Sequence, residues 1–149
     1  MIILDKKQKY SYWEDIATYD IETARAMLGS GRYLYVVFMC QQAIEKLAKG
    51  LYVLFCGEEP PRTHNISLVF KKVVESQPSK FEDVENYIEK KEQYSSFFVK
   101  LLAYYIAERY PSYKEKLSQA VDQQEAAEVL ATSEEVFTWL LSLKQYAPK

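Results

Sequence analysis

Apolar residues recur at steps of three and four along almost the whole chain, the period of a helix face rather than of a strand. Within Phe38–Lys49 and just beyond it, Cys40, Ala43, Ile44, Leu47, Leu51 and Leu54 form one apolar stripe wide enough to bury against neighbouring helices. Gln42, Glu45, Lys46 and Lys49 keep the same spacing on a different side, giving one strip with an amide, a carboxylate and two ammonium groups. The helix carrying both is predicted from Arg32 to Phe55. Because Tyr33–Cys40 is apolar nearly all round, it is expected at the centre of a bundle. Gly57 and Pro60-Pro61 stop it, since glycine suits a left-handed cap and proline cannot continue the ladder. Taken alone, the polar strip reads as a solvated face with a Glu45–Lys49 surface pair.

Ser11 with Glu14 is a capping-box pattern that predicts the start of the first helix. Trp13, Ile16, Ala17, Ile21, Ala24, Met27 and Leu28 mark its apolar face, and Gly29-Ser30-Gly31 is short enough to force an antiparallel hairpin. A short helix is predicted from Asn65 to Glu75. Ser79 with Glu82 opens a further helix, with a break near Lys90-Lys91-Glu92, that runs to Arg109 and ends at Tyr110-Pro111. Its stretch Phe97–Ile106 holds one charge, Lys100, and is expected to be deeply packed. Asp122 with Glu125 opens the last helix, whose face is Val129, Val136, Phe137, Leu140, Leu141 and Leu143. The fold expected over residues 1–149 is a single all-α domain, an up-and-down bundle of four long helices plus one short helix.

Composition agrees with a soluble globular chain: 48% of the residues are hydrophobic, 27% are charged, and the four glycines and five prolines are few for a turn-rich sheet fold. A net charge of -2 argues against a general electrostatic grip on nucleic acid and leaves room only for a local basic site. Cys40 and Cys56, on one helix, would be about 24 Å apart, too far for a disulfide, and read as free thiols of a cytoplasmic protein. Ile2-Ile3-Leu4 followed by Asp5-Lys6-Lys7 is the reverse of a secretory signal, and no stretch is apolar enough for a membrane span.

The chain has one histidine and no closely spaced cysteine pair, which argues against a zinc site built from these residues within one chain, and it has no glycine-rich phosphate loop. His64 reads either as a capping or packing residue or as a group at the mouth of the polar strip. Arg109, beside Glu108, Tyr104, Tyr105 and Tyr110, reads either as a helix-end dipole partner or as a phosphate clamp with stacking faces around it.

Gln41-Gln42-Ala43-Ile44-Glu45-Lys46-Leu47-Ala48-Lys49, Pro61-Arg62-Thr63-His64-Asn65-Ile66 and Glu108-Arg109-Tyr110-Pro111 occur in that order. Together they resemble the pattern of HEPN domains, the nucleotide-associated domains of higher eukaryotes and prokaryotes, over roughly Trp13 to Pro111. The resemblance implies a homodimer that binds a nucleotide or RNA, often beside a separately encoded minimal nucleotidyltransferase, as a toxin and antitoxin or a substrate-recruiting pair. Members that cut RNA without metal carry an arginine and, about four to six residues beyond it, a histidine. Here the matching positions after Arg109 are Lys114, Glu115 and Lys116. An arginine can stabilise developing charge but is a poor proton shuttle at neutral pH.

The function expected is therefore a non-catalytic module for a nucleotide or RNA phosphate, with Gln42, Glu45, Lys46, Lys49, His64, Arg109 and Tyr110 around one groove and neither metal nor cofactor. One alternative is a metal-independent ribonuclease toxin using Arg109, with Lys114 or Tyr113 as substitute base. The other is a helical dimerisation scaffold. The homodimer is also suggested by thirteen tyrosines and seven phenylalanines, more than a bundle of this size must bury, with many clustered in Phe97–Tyr113.

Overall fold

The computed structural model describes residues 3–149. Among these residues seven helices follow one another: α1 (Lys6–Gly29), α2 (Tyr33–Cys56), α3 (Ile66–Ser76), α4 (Pro78–Glu82), α5 (Tyr87–Arg109), α6 (Pro111–Ala120) and α7 (Gln123–Leu143), closed by a 3-10 turn at Lys144–Tyr146. The described residues contain no strand, so the all-α bundle is the fold. α2 is its axis, packed by α1, α3, α5, α6 and α7, with Cys40, Ala43, Ile44, Leu47 and Leu51 fully buried.

The hairpin of α1 and α2 turns at Gly31, whose φ of 75° lies in the left-handed region that glycine enters without a steric cost. Farther along, Gly50 lets the two helices touch: a Cβ built there would lie 2.8 Å from Trp13 Cβ and 3.2 Å from Tyr10 Cδ2. α2 ends at Gly57, φ 71°, as its glycine implied. Asp122 caps α7 by accepting from the Glu125 amide at 2.9 Å.

Several boundaries differ from the sequence expectation. α1 starts at Lys6 rather than Ser11, because Asp5 and Gln8 make a complete capping box of their own; Glu14 instead accepts from the Tyr10 hydroxyl at 2.8 Å and from Lys144 at 3.0 Å. Ile16 is exposed. Ser79 caps nothing, since Pro78 fills the first position of α4, where its missing N–H is no loss. The break falls at 83–86, with Asn86 at φ 57°, and Lys90-Lys91-Glu92 lie inside α5.

α5 is not packed all round. Tyr94, Phe97, Phe98, Leu101 and Tyr104 face the core, while Val99 and Ile106 are exposed at 62% and 47%. Pro111 ends α5 and also opens α6, a helix with no buried residue that leaves Tyr110 and Tyr113 at the surface. The face from Val99 through Ile106 to Tyr113 thus has no partner within the described chain. Among the described residues no helix is long and apolar enough to cross a membrane.

Candidate functional site

Helical spacing in α2 puts Gln41, Glu45 and Lys49 one above another, and α2 is so enclosed that this row is not solvated. Gln41 is fully buried, and Glu45 is 4% exposed. An ionised carboxylate at that depth needs several donors. Glu45 has three: Lys49 Nζ donates to Oε2 at 3.0 Å, while Gln41 Nε2 and His64 Nδ1 approach Oε1 at 2.9 and 3.0 Å. Gln42 Nε2 donates to Gln41 Oε1 at 2.6 Å and fixes the orientation of that amide.

His64 is presented by the loop between α2 and α3. The Thr63 hydroxyl accepts from the Asn65 amide at 3.1 Å, and the Asn65 side chain accepts from the Leu68 amide at 3.3 Å to cap α3. Between these two turns the imidazole reaches back to α2. Since the carboxylate only accepts, Nδ1 carries the hydrogen facing Glu45, and Nε2, with no hydrogen-bond partner among the described residues, lies on the other edge of a half-exposed ring.

The other face of His64 meets α5. Its ring stacks on Tyr105 at a centroid distance of 4.2 Å, and Phe38 flanks the same tyrosine at 6.4 Å. Arg109, one turn beyond Tyr105, places its guanidinium 5.6 Å from that ring and donates to its hydroxyl at 3.2 Å. Arg109 has no carboxylate partner among the described residues, unlike Lys46, Lys49 and Lys114. Lys114 donates to Tyr35 Oη and pairs with Glu108 at 3.2 Å. The Tyr35 hydrogen bond, and then Glu108, hold its ammonium above the ordinary lysine range, so Lys114 is ill suited to accept a proton.

A family model for the HEPN domain matches residues 10–144. The chain belongs to the HEPN family. No curated protein and no solved structure matches it.

Not all the residues singled out from the sequence of this HEPN domain come together. Glu45, Lys49, Gln42 and His64 share one hydrogen-bonded group, and Tyr105 links it to Arg109. Lys46 points to the neighbouring helix, where it donates to Asp20 Oδ2 at 2.5 Å, so the strip is divided between two neighbours rather than lining one groove. Tyr110 lies past the end of α5, edge-on to Tyr113 at 5.9 Å. Sequence reasoning placed no role on Gln41, Asp20 or Phe38, and named Tyr105 only as one of several stacking faces beside Arg109. Two of these had a signal: Gln41 precedes Glu45 by one turn, and Asp20 lies among Ala17, Ile21 and Ala24 on the buried face of α1.

Proposed function

We propose that this HEPN domain binds a nucleotide or an RNA phosphate, without catalysing a reaction, on the surface formed by Arg109, Tyr105 and His64. The observation that carries this reading is the unneutralised Arg109 guanidinium held on the tyrosine against which His64 stacks. Such a fork can donate two hydrogen bonds to a phosphate, and the aromatic and imidazole faces offer stacking for a base. Lys49 and Glu45 serve as the buried base of the site, holding His64 in place. Lys46, neutralised by Asp20, contributes less charge than its sequence position suggested, and Tyr110 is an outlying stacking face.

The domain acts as a homodimer on this reading, with the exposed Val99–Tyr113 face as the contact, and in the cytoplasm beside a minimal nucleotidyltransferase in a toxin–antitoxin-like pair, as family resemblance implies. A nucleotide panel scored by melting temperature tests the binding: stabilisation that disappears in Arg109→Ala supports it, and no stabilisation by any nucleotide or short RNA contradicts it.

One observation favours a second reading, metal-independent RNA cleavage. His64 Nε2 has no hydrogen-bond partner among the described residues, with Nδ1 held by Glu45, so an imidazole edge lies near Arg109 although no histidine follows it in sequence. RNA cut in the presence of a chelator, and left intact by His64→Ala, would establish this reading over the first.

A further inference from the structure

α1 is apolar on two sides. Its buried row of Tyr10, Ala17, Ile21 and Ala24 packs against α2 and α7. About 140° farther round, at the 100° per residue of an α-helix, Tyr12, Ile16 and Tyr19 form a second row, spaced four and then three residues apart. These side chains are 59%, 49% and 71% exposed, so the described residues leave the row uncovered. The outer side of a surface helix is ordinarily polar, and a single exposed apolar residue has no meaning by itself. Here three large ones share one row, and Tyr19 is the most exposed aromatic side chain among the described residues. Such a row marks a surface that another molecule covers.

Charge decides what that molecule is. From Ser11 to Ala26 the helix carries Glu14, Asp15, Asp20 and Glu22 against one cation, Arg25. Glu14 pairs with Lys144, Asp20 with Lys46 and Arg25 with Glu134, which leaves Asp15 and Glu22 without an ion-pair partner among the described residues. Both are exposed and lie on one flank of the apolar row, seven residues apart and so about 10 Å apart along the axis. That flank repels a nucleic-acid backbone or an anionic lipid surface. It also disfavours the same helix of a second copy, which would set acid against acid.

We propose that this outer row of α1 is the docking surface for a basic amphipathic helix of a different protein. The partner's apolar residues, repeating at three and four, pack over Tyr12, Ile16 and Tyr19, while two lysine or arginine side chains seven residues apart meet Asp15 and Glu22. The apolar row supplies the area to be buried, and the acidic flank selects the partner and fixes its register. The surface shares no residue with the site of Arg109, Tyr105 and His64 and does not rest on the function proposed above.

The test uses the full chain and two fluorescently labelled synthetic helices that share one row of leucines at three-and-four spacing. One carries lysines along the flank of that row and the other glutamates, and binding is followed by anisotropy. Expected is saturable binding of the lysine helix, with the glutamate helix roughly tenfold weaker or worse. Tyr19→Ser should weaken the lysine helix by about tenfold while leaving the melting temperature unchanged, because the side chain is exposed. Asp15→Lys combined with Glu22→Lys should reverse the preference between the two helices, which general attraction to an acidic protein would not do. The proposal is overturned if neither helix binds, if Tyr19→Ser leaves the affinity unchanged, or if the double exchange does not reverse the preference. It is equally overturned if Tyr19→Ser turns an associated parent protein into a monomer by light scattering, since the occupant of the row is then a second copy.

Discussion

Glu45 Oε1 holds His64 Nδ1 at 3.0 Å from beneath, joining a buried carboxylate of the central helix to a half-exposed ring in the following loop. The same carboxylate balances Lys49, which is 11% exposed at its side chain. Glu45→Ala should therefore destabilise the fold by about 3 kcal/mol or more, the usual cost of leaving one member of a buried pair alone. His64→Ala should cost far less, because its ring is half solvated. Urea unfolding of the two variants separates them, and equal losses would mean that His64 is a structural post.

Gly50 should tolerate no side chain. A methyl group there meets Trp13 Cβ at 2.8 Å, backbone-anchored and unable to swing away, so the two helices must part. Gly50→Ala is expected to lose about 1–3 kcal/mol to overpacking, despite alanine's better helix propensity. A melting temperature at or above that of the parent protein would show that the α1–α2 contact is looser than described.

Glu125 carries a pH dependence. The Lys100 hydrogen bond, then that from Tyr104, hold its carboxyl below the ordinary 4.5. The unfolded carboxyl thus takes up its proton first, so the stabilisation is complete above about 4.5 and is lost as pH falls through the lower folded value. Glu125→Gln should melt earlier than the parent at neutral pH, and the gap should close in acid. A gap that is constant across thermal melts at both pH values would assign the difference to something other than this titration.

The bundle was largely legible because its signals are local. The stripe Cys40–Leu54, the glycine at 57 and the cap at Asp122 each act within a turn or two of their own position. α6 was missed because Pro111 was read only as a stop, whereas the same residue suits the first turn of a new helix. The site was half legible. Glu45 and Lys49 share a helical row, but nothing local says that His64 returns to that row, that Tyr105 rather than Tyr104 faces it, or that Asp20 on another helix neutralises Lys46. Those pairings depend on how helices cross.

The exposed α5–α6 face gives the proposed dimer a direct probe. Ile106 is 47% exposed on the stripe that includes Val99. Ile106→Lys should convert the dimer to a monomer by light scattering while keeping the helical circular dichroism. A parent protein that is already monomeric at every concentration would remove this face from the interface.

The most direct measurement is calorimetric titration of nucleotides and a short single-stranded RNA into the parent protein, Arg109→Ala and Lys46→Gln. Arg109→Ala is expected to lose about 1.5–3 kcal/mol of binding, the range for a hydrogen bond to a charged group, with its melting temperature nearly unchanged because the side chain is exposed. Lys46→Gln, which disturbs the pair with Asp20, should lower stability and alter binding little. Equal affinity for the parent and Arg109→Ala, or a larger loss with Lys46→Gln, would contradict the assignment of Arg109, Tyr105 and His64 as the phosphate-binding surface.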